Sequence, residues 1–560
     1  MYRNFNKYIL RTPTLSVDFF LKLTGGKEVL DEDLRETFSD PLIKEAIYLA
    51  SPVLYQEIKK WAENKNIDDK IKTSFIKYLS RMSSRPTPFG LFSGCSLGVF
   101  GTDNRIERIN SLNKRYTRLD MDLTGVLVKH IENVKVIKEQ LLFYSNNSIY
   151  KIGELIRFVE SRYNKNNKLV HKIIEVENSE YLEKILNFSE GGKNITELSN
   201  HLVEPEISFE EAKEFIVELI DSQILVSELQ QTVSGTENLD NIISILDRLN
   251  NVNSIANVLV FIKNKLVKLD NNSENNIKIY LEILNLLKEQ NITVNPKFAF
   301  QTDLILGCNY NILNENLIED VQKGLKAINR INRLKSNNSN PNLNQFKEAF
   351  YERYEEQEVP LSLVLDKELG IGYPVNSGTG DINPLIDNLV FRGASNKSIN
   401  QNNLSIFELT LLKKSIEAEK ENQFIIEIKE NEIPGEDYWD DLPDTFSTLA
   451  QVINISDKNM VHLDFFAGSS AGNLLGRFCN GDSNINKYIN EIVNIEEDLN
   501  SDKIVAEIVH LPEDRLGNVL MRPSMRNFEI PYLARSNKNK EQQIPIKDIL
   551  VSIHLSSINI

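Results

Sequence analysis

Apolar side chains between residues 40 and 80 recur at Leu42, Ile47, Leu49, Leu54, Ile58 and Trp61, then at Ile71, Phe75, Ile76 and Leu79. Spacings of three and four put them on one face of a helical period, which predicts helices across this region. The pattern stops at Arg81-Met82-Ser83-Ser84-Arg85-Pro86-Thr87-Pro88-Phe89-Gly90-Leu91-Phe92. Each proline drives its predecessor into extended backbone, so the helix ends before Pro86, and Arg85 and Thr87 are expected in a stiff loop. Further helices are predicted over 238–268 and 276–290, and over 343–354 after an Asn-rich, low-complexity stretch at 336–342 that is expected to be mobile. Strands are predicted over 359–365, 424–428, 461–466, 504–511 and 549–555. Strands and helices mix without regular alternation, and no repeat with a period of about 20–50 residues occurs. The expected fold class is therefore α+β, a large mixed fold of several subdomains. The run 549–560 reads as strand to its last residue, so a chain cut short, or one half of a split protein, is expected.

Residues 139–232 read as an inserted module. Within them, β-type runs at 149–163 and 169–176 are joined by Asn164-Lys165-Asn166-Asn167, a turn sequence. Three helical segments follow. The first, 181–188, ends before Gly191-Gly192; the second starts at Asn194 with Glu197 three residues on; the third starts at Ser208 with Glu211 three on, and both starts have the capping-box form. Phe215, Ile216, Leu219 and Ile220 share one face of the third helix, and 224–226 closes the module as a strand. A hairpin, three short helices and a strand form the pattern of a winged helix-turn-helix. Such modules usually bind DNA, but Phe209-Glu210-Glu211-Ala212-Lys213-Glu214 is too acidic to approach phosphate. Capture of a peptide along the edge strand and third helix is the better functional reading, with a purely architectural insert as the plain alternative.

Composition then removes whole classes of function. The 560 residues are 41% hydrophobic and 26% charged with only 17 prolines, which fits a folded protein. Lys and Arg number 64 against 80 Asp and Glu, a formal net charge of −16, yet residues 1–125 hold 20 basic and 16 acidic side chains. This first quarter is the place to look for a polyanion site, acting over a screened range of about 10 Å, with chance variation in composition as the plain alternative. No apolar run approaches the roughly 18 residues that span a bilayer. Arg11 interrupts the apolar Tyr8-Ile9-Leu10, so there is no secretory core, and a cytoplasmic location is expected, with membrane association only through partners. Cys95, Cys308 and Cys479 stand singly, and His130, His171, His201, His462, His510 and His554 lack ligand spacing, so neither disulfides nor a metal site is expected. No phosphate-binding loop of Walker type occurs, and Gly370-Ile371-Gly372 lacks the third glycine of a dinucleotide fingerprint. No cofactor is expected; costly chemistry would draw on an activated substrate.

Arg81 and Arg85 straddle a helix end four residues apart, a spacing that lets both guanidinium groups face one phosphate or developing oxyanion. Thr87 between two prolines presents a hydroxyl fixed in space. A rigid turn with surface arginines is the plain alternative. Gly468-Ser469-Ser470-Ala471-Gly472 has the form of a nucleophile elbow, and Asp514 and His554 follow in the order a serine hydrolase at Ser470 would need. The alternating βα units of such a hydrolase are missing, so a loop presenting Arg477 is the better reading.

The stretch 81–92 resembles the Arg-rich segment closing on Arg-x-Thr-Pro-Phe-Gly-Leu-Phe in the N-terminal domain of class I lantibiotic dehydratases. The resemblance extends in family order through Tyr8-Ile9-Leu10-Arg11-Thr12-Pro13, Arg118-Leu119-Asp120 and Gln301-Thr302-Asp303. It continues through Arg353-Tyr354, Val359-Pro360-Leu361, Gly370-Ile371-Gly372-Tyr373, Gly476-Arg477-Phe478, Arg522 and Glu529-Ile530-Pro531. It implies a glutamylation domain that moves glutamate from glutamyl-tRNA, as co-substrate, to Ser and Thr hydroxyls of a ribosomally made precursor peptide. The acyl group arrives activated, in keeping with the missing ATP loop. Esterification prepares elimination, because a carboxylate whose acid has a pKa of about 4 leaves far more readily than hydroxide, whose conjugate acid is near 16.

By resemblance, Arg81, Arg85, Thr87, Asp120, Asp303 and Arg477 match positions tied to this step. The arginines would steady an oxyanion or the tRNA acceptor end; either aspartate could take the hydroxyl proton, hold the glutamyl ammonium, cap a helix or pair with an arginine. The resemblance divides the chain into 1–138, the basic, tRNA-facing part; 139–232, the winged-helix-like element that would capture the leader of the precursor peptide; and 233–560, the remainder. On this division the family's C-terminal elimination domain is expected to be absent. A separate elimination protein, a cyclase and a second copy of the chain are the further partners it admits. Two other functions compete: an aminoacyl-tRNA-dependent peptide amide ligase, and a non-catalytic peptide-binding protein, for which loss of Arg85 or Thr87 would be expected.

Overall fold

The Arg-Pro-Thr-Pro stretch leads straight into the strand about which the main sheet is built. In the computed structural model this strand is Ser93–Gly101, and the described residues are 2–559 apart from 26–28, 64–67, 164–168, 272–275, 336–340, 376–403, 430–431, 434–436, 440–441, 456–457, 513–515 and 555–556. Most of the Asn-rich stretch and the turn at 164–167 thus lie outside the described residues. Lys7–Pro13 pairs antiparallel with one edge of the strand, Pro13 opposite Ser93 and Lys7 opposite Val99. The other edge takes Phe300–Ile305 in parallel at Cys95 and then Cys308–Asn314 in parallel from Val99 to Gly101. Lys114–Leu119 and Arg105–Arg108 extend the sheet antiparallel to these two. Strands approach closely at Gly94, where a Cβ would stand 2.5 Å from the Leu304 carbonyl oxygen.

Two apolar layers cover the sheet. On one face lie the helices Asp31–Ser39, Pro41–Ala50, Pro52–Glu63 and Asp69–Ser84, with Met121–Glu132, Asn253–Asn271 and Asn276–Glu289, packed around Phe38, Ile47, Ile58, Phe75, Leu119 and Leu304. On the other, the helix Ser483–Leu499 lays Ile485, Ile489 and Ile492 over Cys95 and Ile305. Each such buried side chain contributes about 1.5–3 kcal/mol.

The predicted helical region 40–80 resolves into three helices, two of them with a proline in the first turn, Pro41 and Pro52. The predicted 238–268 divides into Asn238–Leu246 and Asn253–Asn271, with Asn251 at φ 60° between them. Two strand predictions are corrected. Over 359–365, only Val359–Pro360 pairs, with Val551 and Leu550; Leu361–Leu365 is a helix, because a short apolar run fits either period and Val364 finds its burial against Phe350. The run 424–428 is irregular: Phe424 and Ile425 are exposed and no described strand offers it an edge. The strands Lys458–Ala467, Ala506–His510 and Leu550–His554 stand where expected, while the helices Asn316–Lys335, Ile406–Lys420 and Ser483–Leu499 were not anticipated.

The module at 139–232 has the expected element order, with its first β-run broken at Gly153 into Tyr150–Ile152 and Leu155–Tyr163. These two and Leu169–Glu177 form a three-stranded sheet in which Leu169–Glu177 is an edge. Helices Glu180–Ser189, Ile195–Leu202 and Phe209–Asp221 follow, and both capping boxes, Asn194 with Glu197 and Ser208 with Glu211, are formed. Leu225–Ser227 returns to pair with Phe143–Ser145.

A polar knot crosses the main core. Glu45 accepts from the Arg115 guanidinium, Tyr280 Oη (3.0 Å) and Asn276 Nδ2 (2.8 Å). Nearby, Asp270 accepts the Thr117 N–H at 3.2 Å, and burial pushes its carboxyl up to about 6. Because that lies above the unfolded value near 3.9, the group's contribution is full below about pH 4 and lost as pH rises through 6. Asp270→Asn is therefore expected to raise unfolding free energy by about 2–3 kcal/mol at pH 7.5 and to leave it nearly unchanged at pH 4, as read from denaturant titrations at the two pH values.

Candidate active site

Strand parity decides which charged side chains meet. Arg11 and Ile305 both lie opposite Cys95, and Tyr116 lies opposite Asp303. With a side-chain period of two, Arg11, Tyr116, Arg118 and Asp303 share the face that packs under residues 471–493. There Asp303, 2% exposed, sits between two arginines. Arg118 Nη1 donates to Oδ2 at 3.1 Å, and Arg477 donates to Oδ1 from Nε at 2.7 Å and again from Nη2. Arg477 is carried on a short 3-10 turn, Gly476–Phe478. Gly476 lets that turn press on its neighbours, since a Cβ would lie 2.8 Å from Arg522 Cδ and Met525 Cε; the Arg522 guanidinium is itself paired with Glu507.

Asp120 joins the same network from its far end. Fully buried, it caps the helix Met121–Glu132 by accepting the Asp122 N–H at 3.0 Å, and it accepts from Asn518 Nδ2 at 3.0 Å. Asn518 also accepts the Met121 N–H (2.9 Å) and offers its carbonyl to Arg118 Nη2 (2.5 Å). Of the uses open to the two aspartates, capping and arginine pairing are the ones the geometry displays.

Arg11 adds positive charge without a carboxylate of its own among the described residues. It donates to the Leu474 carbonyl at 3.2 Å and stands 5.9 Å from the Phe478 ring centre. Burial lowers its pKa, Cys95 opposes this, and the Arg477 charge lowers it further. Three arginines thus share one directly paired carboxylate, an arrangement suited to an anionic group. Burial first, then Glu237, holds the Tyr116 hydroxyl above its ordinary range, and burial pushes the Cys95 thiol up to about 12, so neither ionises near neutral pH.

The loop after Ser84 displays what the sheet face conceals. Ser93 Oγ donates to the Thr87 carbonyl, tying the loop to the start of its strand, and the pairing of Ile305 with Cys95 sets Asp303 level with Ser93 on the neighbouring strand. Arg81 stacks on Phe89, its guanidinium carbon 4.3 Å from the ring centre. Arg85 and Thr87 are exposed, and neither side chain has a hydrogen-bond or ion-pair partner among the described residues. The structure thus brings Asp120, Asp303 and Arg477 into one network and sets Arg85 and Thr87 on the loop at its rim, with Arg81 in the last turn of the helix that leads into it. Ser470 Oγ accepts the Gly472 N–H at 3.1 Å and caps a 3-10 turn, Ala471–Leu474; Asp514 lies outside the described residues.

Residues 39–559 match the family model described as lantibiotic dehydratase, N terminus. The chain belongs to the lantibiotic dehydratase family. It is 27% identical to the epidermin biosynthesis protein EpiB of Staphylococcus epidermidis over 66% of this chain and 37% of EpiB. It is 24% identical to the subtilin biosynthesis protein SpaB of Bacillus subtilis over 99% of this chain and 53% of SpaB. Among solved structures it resembles the tRNA-dependent lantibiotic dehydratase MibB from Microbispora sp. 107891, with TM-score 0.76 and 19% identity over 99% of this chain and 53% of that one. It also resembles the glutamylation domain TbtB from thiomuracin biosynthesis, with TM-score 0.56 and 13% identity over 94% and 65%. The chain thus spans about a third of EpiB and about half of SpaB. Among the described residues no helix is long and apolar enough to cross a membrane, and no cluster of potential metal ligands occurs.

Arg11, Arg118 and Asn518 were not anticipated as site residues. Arg118 stands two residues before Asp120, so strand parity would have found it; Asn518 is reached only through a contact 398 positions away. Two substitutions separate scaffold from chemistry in this dehydratase relative. Asp303→Ala strands two buried arginines and is expected to cost about 3–5 kcal/mol in denaturant unfolding. Asp120→Asn keeps the cap and is expected to leave the melting temperature nearly unchanged, so any loss of activity it causes reports the charge itself.

Proposed function

We propose that this chain is a tRNA-dependent acyltransferase that moves the glutamyl group of glutamyl-tRNA to Ser and Thr hydroxyls of a ribosomally made precursor peptide. The observation that carries the reading is the unpartnered Arg85, held with the Thr87 hydroxyl on a proline-stiffened loop at the rim of an arginine-rich sheet face. Family membership and the fold shared with a tRNA-dependent dehydratase and a glutamylation domain support it.

In the proposed step the peptide hydroxyl attacks the ester carbonyl of the charged tRNA. The tetrahedral oxyanion forms beside Arg85, whose unshared charge is free to stabilise it. Collapse releases the ribose hydroxyl, which takes the proton the peptide hydroxyl gives up. Asp303, with both oxygens held by arginines, positions Arg477 and Arg118 instead of moving a proton. No metal or organic cofactor has a step in this scheme. The resulting glutamyl ester would then lose glutamate by elimination in a separate domain or protein.

The winged-helix-like module supplies peptide capture in this reading. Phe158, Ile174, Val176, Leu182, Phe215 and Leu219 line a cleft of about 790 Å³ between its sheet and the helix Phe209–Asp221. Among the described residues Leu169–Glu177 has an unpaired edge beside it, so an extended leader segment can add as a strand and drop alternate side chains into the cleft.

Mass spectrometry of a cognate precursor peptide incubated with the protein, tRNA, glutamate and glutamyl-tRNA synthetase tests the reading. Addition of glutamyl masses, abolished by RNase, is expected. Arg85→Ala should lower the rate by about 10²–10³-fold, Ile174→Arg should raise KM for the peptide alone, and Ser470→Ala should leave the rate unchanged. An amide-linked product would assign the chain to peptide extension instead, and binding without any mass gain would sink the transferase reading.

A further inference from the structure

Phe89 stands out among the exposed apolar side chains. It is 41% exposed, yet it lies in a proline-stiffened loop, between Pro88 and a Gly90 at φ 53°, with its carbonyl accepting the Phe92 N–H at 3.0 Å. Its ring partners among the described residues are Arg81, 4.3 Å from its centre, and Phe92, edge-on at 5.5 Å with planes 79° apart. Arg81 meets the face of the ring and Phe92 is set crosswise to it, while a large part of the aromatic surface stays in water. Flexible apolar residues on a surface need no explanation, but this one is held rigid at the expense of hydration and is braced from behind by a cation.

Its surroundings are those of a single-stranded nucleic-acid contact. Two residues away is the free Thr87 hydroxyl, and four away the unpartnered Arg85. A planar ring that carries an arginine and adjoins a second, uncommitted arginine stacks an unpaired base and neutralises the phosphate beside it. Among the described residues Arg85 has no carboxylate to satisfy it, which favours a polyanion over an apolar peptide side chain as the occupant.

We propose that Phe89 is the platform on which the terminal unpaired base of the acceptor end of the charged tRNA stacks, so that the ester two bonds beyond its ribose carbon falls beside Arg85 and Thr87. This rests on the acyl-transfer reading above. Phe89 binds the base and takes no part in proton or acyl transfer. Recognition by stacking tolerates any base, so identity of the amino acid is read elsewhere.

The test is a cycle between protein and RNA. Phe89→Leu and Phe89→Trp are compared with wild type on glutamyl-tRNA and on glutamyl-tRNA whose terminal nucleoside lacks its base, with KM and kcat measured separately. Phe89→Leu is expected to raise KM for glutamyl-tRNA about tenfold, equivalent to about 1.4 kcal/mol, with KM for the peptide unchanged. Phe89→Trp should stay within about threefold of wild type, which excludes a folding defect. On the base-less tRNA the wild type should lose the same factor and Phe89→Leu nothing more. Additive losses, or an unchanged KM in Phe89→Leu, would overturn the stacking proposal while leaving acyl transfer standing. If wild type transfers nothing, quenching of fluorescence on titrating Phe89→Trp with an acceptor-end RNA hairpin decides stacking by itself: quenching that requires the terminal base supports the proposal, and none overturns it.

Discussion

A carboxylate buried between two arginines constrains everything around it. Asp303 cannot be left alone in the interior, because an unpaired charge there costs several kcal/mol, so Arg118 and Arg477 must both reach it. One comes from the neighbouring strand and the other from a turn 174 positions away, and the demand for both closes the C-terminal part of the chain over the sheet. Apolar residues could fill the same space at lower cost. What they could not supply is a fixed array of guanidinium groups under a loop that displays another, Arg85.

The array divides its work between hidden and displayed charge. Inside, Asp303 and Asn518 lock Arg477 and Arg118 by short hydrogen bonds, and Gly476 lets the Arg477 turn lie flat on Arg522. Outside, proline and a single serine hydroxyl hold the loop while Arg85 stays unshared. Such preorganisation leaves no reorganisation to be done when an anion arrives.

The cleft module is braced in a comparable way. Arg157 and His171 turn from its hairpin to the body, while Phe158, Val170, Ile174 and Val176 line the cleft. Arg157 donates to Asp366 at 2.8 Å and to Glu368 at 2.5 Å, the His171 ring lies 6.5 Å from that of His510, and Asn147 donates to the Ala534 carbonyl at 2.9 Å. The edge strand Leu169–Glu177 thus belongs to a frame already fixed to the body.

Local chemistry made much of this legible. Pro86 and Pro88 end the helix and stiffen the loop by the geometry of the proline ring, and the capping boxes at Asn194 and Ser208 form because each needs only four consecutive residues. Periodicity carried the helices of the first core, whose apolar faces are dictated three and four residues at a time. The failures share one cause. The run 424–428 has β-type composition, but a strand exists only if another strand offers an edge, and none does. The run at 361–365 satisfied either period until Phe350 decided its burial. Asp120 and Asp303 were visible as candidates, but proton acceptor, ammonium holder, cap and arginine partner stayed open in the sequence, because the arginines and Asn518 that decide among them lie 174 to 398 positions away. Steric rules of a few residues thus settled the loop, the caps and most helices, whereas the fate of each buried charge rested on long-range pairing, since only the folded chain brings its counter-ion within reach.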